Sequence, residues 1–155
     1  TAHTLTDDAC PSATASMVMA LRRVGLMAER DDFVSRADEA SAALLPVVAS
    51  TPRFAGWALA DFLIADEARR GLKPAGVVIA DTQEEPTDLA AAAWRMAPAG
   101  SAIMRRVGEG SGFGTWFEDR APRDGQPMCW VCRGTVCFEP VTEYLELKDP
   151  LWRRA

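Results

Sequence analysis

Cys129-Trp130-Val131-Cys132-Arg133-Gly134-Thr135-Val136-Cys137-Phe138-Glu139-Pro140 reads as a β-hairpin, and its register fixes the character of the C-terminal half. A two-residue turn at Gly134-Thr135 sets Arg133 opposite Val136 and therefore Cys132 opposite Cys137. Counting outward from the turn, the cysteine pair falls at a non-hydrogen-bonded position, where facing side chains come closest. Opposed Cβ atoms on neighbouring strands lie about 4.5–5.5 Å apart. The two Cα atoms should then sit within the roughly 7 Å that a disulfide can span.

Upstream of the hairpin, residues 75–81 (Ala-Gly-Val-Val-Ile-Ala-Asp) form a continuous apolar run, the pattern of a strand buried on both faces, parallel or central in its sheet. Residues 84–97 follow as a helix and residues 101–107 as a second strand, a unit that makes parallel strands joined by a crossover. The glycines of residues 108–114 lie at every second position. No helix follows them at 116–123, so they lack the context of a dinucleotide loop, and no cofactor is expected.

The first seventy residues read as helices. Residues 11–27 open on Pro11-Ser12 and carry Val18, Leu21 and Val24 as an apolar stripe. Residues 32–48 carry Phe33, Val34, Ala37, Ala40, Leu44 and Val47 along one broad face, with Pro46 marking a kink or an end. Ser50-Thr51-Pro52 supplies a capping hydroxyl and a first-turn proline for a third helix over residues 53–70. That helix is apolar nearly all round: Phe54, Trp57, Leu59, Phe62, Leu63 and Ile64 cannot all face one neighbour.

These patterns sum to a mixed α/β fold in a chain of 155 residues, with a helical segment at 1–70 and an α/β segment ending in a hairpin at 71–155, packed as one unit. The composition, 48% hydrophobic and 25% charged, is the balance expected of a soluble globular protein. A net charge of −5 without basic clusters argues against a nucleic-acid partner. Asp61 and Asp66 interrupt the longest apolar stretch, residues 54–65, so no membrane span is expected. The polar start at residues 1–8 does not resemble a secretory signal, and a cytoplasmic location follows as the expectation.

Four cysteines allow three readings. A Cys129-x-x-Cys132 redox pair would need its first thiolate at a helix start, whereas residues three apart in a strand point to opposite faces. A zinc site from Cys129, Cys132 and Cys137 with Cys10 or His3 would need a turn between ligands and a second knuckle, so no metal is expected. A cross-strand Cys132/Cys137 pair, as packed thiols or a reversible disulfide, suits the strand context, with the reduced form expected inside a cell. His3, the single histidine, lies at the chain start and offers little to a catalytic triad. The acidic pairs Asp7/Asp8, Asp31/Asp32 and Glu84/Glu85 each precede a helical pattern, where helix-start electrostatics accounts for them.

Asp124-Gly125-Gln126-Pro127, then Trp130-Val131-Cys132-Arg133-Gly134, Cys137 and Pro140-Val141-Thr142 resemble the closing segment of the YyaL family, that of spermatogenesis-associated protein 20. Its members carry an N-terminal thioredoxin-like domain. Trp130 stands where the family has tyrosine. Asp7-Asp8-Ala9-Cys10-Pro11-Ser12 resembles a second family segment, with Asp8, Ala13 and Thr14 in place of glycine, glycine and asparagine. The resemblance implies that residues 1–70 are the last helices of a six-hairpin (α/α) toroid and residues 71–155 its α/β tail. The chain would then be part of a larger protein or a shortened relative. Two functions follow. One is a structural and interaction segment, inactive alone, that pairs with the remainder of a larger protein or forms a homodimer through its helical half. The other is part of a glycosidase-like or epimerase-like enzyme, with Asp7, Asp8 and Ser12 near the mouth of the toroid.

Overall fold

The computed structural model describes residues 5–108 and 115–154. The chain divides into two compact units, Thr1–Arg70 and Gly71–Ala155. His3 and most of the glycine-rich loop lie outside the described residues. No described helix is long and apolar enough to cross a membrane.

In the helical unit, α1 spans Ala13–Met27, and its start is closed by the Ser12 hydroxyl, which accepts from the Ala15 amide at 3.2 Å. Gly25 lets the next helix approach, since a Cβ there would sit 3.0 Å from Cγ2 of Val34. That second helix ends earlier than the periodicity predicts. Instead of one helix over 32–48, α2 covers Asp31–Ala42 and α3 covers Leu45–Ser50. Pro46 is the cause: it has no amide to donate, and its ring would meet the carbonyl of Ala42 four residues back. Pro46 is tolerated in the first turn of α3 instead.

The predicted third helix also starts late. Pro52–Phe54 forms a single 3-10 turn, and α4 runs Gly56–Arg69. Thr51 does not cap it, since its hydroxyl donates backward to the Val47 carbonyl. The cap comes from far upstream: Oδ2 of Asp7 accepts from the Trp57 amide at 2.9 Å.

Small residues dominate this core, which gathers Ala15, Val18, Ala37, Leu44, Ala55 and Ala58. Against that background α4 is inverted. Asp61 is fully buried, whereas Trp57 and Leu63 are 45% and 65% exposed. Asp61 is held by the Arg22 guanidinium (Nε to Oδ1 2.6 Å) and by the Ser41 hydroxyl (2.8 Å to Oδ2). Arg22 also pairs with Asp38 at 2.6 Å. Burial alone would lower the Arg22 pKa, but hydrogen bonds to the two carboxylates outweigh it and raise the pKa above its ordinary value.

In the α/β unit, four strands among the described residues form one sheet: β1 (Gly76–Asp81), β2 (Ala102–Val107), β3 (Met128–Arg133) and β4 (Val136–Cys137), in the order β2-β1-β3-β4. β1 is central, parallel to β2 and antiparallel to β3. Helix α5, Asp88–Met96, links the parallel pair. It is shorter than the predicted 84–97, because Thr87 caps it by accepting from Ala90 and Pro86 precedes that cap.

On one face of the sheet, Val77, Ile79, Cys129 and Val131 pack with Leu89 and Ala93 of α5 and with Leu147 and Leu151. Leu151 belongs to a last helix, α6 (Lys148–Trp152), which no sequence pattern announces. On the other face the ring of Trp116 packs against Gly76, where a Cβ would come within 2.4 Å of it. With both faces covered, every residue of β1 is buried, as an unbroken apolar run requires.

Candidate functional site

The hairpin supplies the chemistry-bearing cluster. Arg133 pairs with Val136 and Cys132 with Cys137, the register read from the turn. Gly134 holds the turn with φ +60, a conformation glycine adopts without penalty. The Phe138 amide donates to the Val131 carbonyl at 3.0 Å, which leaves Cys132 and Cys137 at the close, non-hydrogen-bonded position. Their Cα atoms are 3.9 Å apart and a disulfide joins them. Of the two forms open to this pair, packed thiols or a disulfide, the structure has the disulfide, and the two residues are not equally packed: Cys137 is exposed on the short strand β4 while Cys132 is buried. Strand β4 is the edge of the described sheet, so nothing in the sheet covers its outer side.

Arg120 sits against this bridge. One terminal nitrogen of its guanidinium lies 3.2 Å from Sγ of Cys137 and 3.7 Å from Sγ of Cys132. Its other terminal nitrogen donates to the carbonyl of Trp116 at 2.6 Å. The ring of Trp116 in turn lies on Gly76, so the cation is anchored to the sheet rather than free to swing.

Cys129 does not join the cluster. It pairs with Ile79 in the sheet, whereas Cys132 pairs with Gly76, so the two cysteines occupy opposite faces. Burial pushes the Cys129 thiol up to about 12, which disfavours the thiolate that nucleophilic chemistry needs. No group of three or more metal-ligating side chains exists among the described residues. Alkylation of the native protein at mildly alkaline pH should therefore modify the exposed Cys10 and leave Cys129 untouched. Peptide mass mapping reads the difference, and rapid labelling of Cys129 would show that the face it packs against opens readily.

Asp7, Asp8 and Ser12 have framework surroundings. Oδ1 of Asp7 accepts from the Ser12 amide at 2.8 Å and Oδ2 from the Trp57 amide, so one carboxylate ties the starts of α1 and α4 together. Ser12 is buried at the α1 cap. Asp8 is exposed, and its amide donates to the Cys10 carbonyl at 3.0 Å.

Two further buried charges were not singled out from the sequence. Asp81 ends β1 and accepts from Nε of Arg105 at 2.6 Å and from the amides of Thr82 (2.9 Å) and Thr87 (3.3 Å). Burial works against its charge, but these donors outweigh it and hold the carboxyl below the usual aspartate range. Arg133 is 2% exposed and donates to three backbone carbonyls, those of Lys73, Leu151 and Arg153. Burial lowers its pKa.

No family model, curated protein or solved structure matches this chain.

Proposed function

We propose that the chain is a structural and interaction segment, the closing part of a YyaL-like assembly, in which residues 1–70 pack against further helices and residues 71–155 form a stapled end piece. One observation carries the reading: the residues on which the resemblance rests are occupied in holding backbone. Asp7 and Ser12 close helix starts. Asp124 and Gly125, with φ of 53 and 72, make the tight turn between Arg123 and Gln126. Cys132 is bonded to Cys137, and Arg133 gathers three carbonyls. Val141 bridges back to Cys129. An enzyme reading would ask Asp7 and Ser12 for free lone pairs facing a substrate, and their described contacts go to amides.

The interaction half of the proposal rests on α1 and α4. Met17 and Val24, two turns apart on α1, are 58% and 45% exposed. On α4, the exposed Trp57 and Leu63 and the half-buried Ala60 and Ile64 form an uncharged patch that runs from beside the buried Asp61 toward the outer side of the helix. Fully burying one large apolar side chain is worth about 1.5–3 kcal/mol. In a chain of net charge −5, an uncharged patch is also where two copies meet with least repulsion. The isolated chain should therefore form a two-fold homodimer through its helical unit. Light scattering should give twice the 16.8 kDa chain mass, and Leu63→Glu should return it to the monomer. A monomeric wild-type chain at micromolar concentration would overturn the interaction half of the proposal.

A further inference from the structure

We infer that the Cys132–Cys137 bridge is a site of reversible thiol–disulfide exchange, opened at Cys137 by an external thiolate, with the Arg120 guanidinium holding the charge that exchange places on sulfur. The two sulfurs differ in access. Cys137 is exposed on the two-residue edge strand β4, whereas Cys132 is 1% exposed on the inner strand β3. An incoming thiolate reaches the first and not the second, which fixes Cys137 as the sulfur attacked and Cys132 as the leaving group.

The leaving sulfur then carries a negative charge in a buried position, which costs free energy unless a cation or donors stand beside it. Arg120 is that cation, with one nitrogen within reach of both sulfurs. A neighbouring guanidinium favours thiolate over thiol, and a sulfur whose thiolate is stabilised leaves faster. The tether from Arg120 to the Trp116 carbonyl holds the charge in place before reaction. It also draws the attacking anion toward the exposed sulfur.

The step balances with a monothiol as reductant. A thiolate attacks Sγ of Cys137, a new S–S bond forms there, and the electron pair of the old bond leaves on Sγ of Cys132. A second thiolate attacks the external sulfur of that mixed disulfide, releasing the oxidised reductant as its own disulfide and Cys137 as a thiolate. Two thiols lose two electrons in total, the bridge gains them, and the protons released by the two thiols are taken up by Cys132 and Cys137. Oxidation by a disulfide runs the same steps backward.

The test uses the full chain carrying Cys10→Ser, which removes the exposed thiol that would otherwise react, with reduced glutathione as the probe. Reaction under native conditions, quenching by acid and alkylation of free thiols should yield, by peptide mass mapping, glutathione on Cys137 and the alkyl label on Cys132. Opening should be roughly tenfold slower in Arg120→Gln and should recover in Arg120→Lys, which keeps the charge while losing the fork. A purely structural role for Arg120 would not give that recovery. Glutathione on Cys132, a bridge that opens only in denaturant, or equal rates in folded wild-type and Arg120→Gln proteins would each overturn the inference. The mapping is done on a chain that keeps Arg120, so it stands even if the Arg120 variants fold poorly.

Discussion

Replacing Asp61 by alanine will remove about 3–5 kcal/mol from the helical unit, a large share of what a unit of that size possesses. The carboxylate is completely buried and is the shared acceptor for Arg22 and for the Ser41 hydroxyl. Its loss leaves a partly buried guanidinium with the exposed Asp38 as its one carboxylate partner among the described residues, and leaves a buried hydroxyl without its acceptor. Denaturant titration followed by circular dichroism measures the change as a fall in midpoint. The double variant Arg22→Met with Asp61→Leu separates charge pairing from packing. Removing both charges together should cost less than removing Asp61 alone, because no unpaired ion is left behind. A double variant as unstable as the single one would mean that α4 depends on the shape of the site and not on its charge balance.

The second large effect belongs to Arg133→Met, which should cost about 3–5 kcal/mol in the α/β unit. Methionine fills much of the buried volume but leaves the carbonyls of Lys73, Leu151 and Arg153 without their shared donor. Two of those carbonyls sit at the end of α6, so the loss should appear first as undocking of that helix. Hydrogen exchange offers a local readout. The Leu151 and Arg153 amides, which donate to Leu147 and Asp149, should lose protection before β1 does. Arg133→Lys should rescue little, since a single ammonium cannot address three carbonyls spread around a planar fork. Unchanged protection in α6 would show that Leu147 and Leu151 hold it by packing alone.

The parts of this fold that were legible in sequence are those set by near neighbours along the chain. Arg133-Gly134-Thr135-Val136 determines a register by simple counting, and the run at residues 75–81 has no polar residue to put in water before Asp81. Periodicity was less informative where a helix stops without breaking its stripe. Ala40, Leu44 and Val47 keep helical spacing across the gap between α2 and α3, and only the missing amide of Pro46 signals the break. The candidate residues were harder still, because what they do depends on distant partners. Asp7 meets Trp57 fifty residues away, and Asp61, which reads as a polar interruption in an apolar helix, meets Arg22 at a separation of 39. Arg120 lies in a turn with no periodicity at all, and nothing local points it at two sulfurs. A charge placed inside by a long-range partner looks, in sequence, like a charge on the surface.

The position of β1 has a consequence for how the chain is made. It is the first of these four strands to be synthesised, yet it ends at the centre of the sheet, with partners that come from later sequence: β2 at residues 102–107 and β3 at residues 128–133. Until Arg133 has emerged, the strand richest in valine and isoleucine has at least one unpaired edge, and until α6 follows, one face lacks Leu151. Such an edge invites pairing with other chains. The α/β unit therefore stays incomplete until residues 128–152 have been made, so a chain cut short of α6 should aggregate before it yields a smaller folded protein.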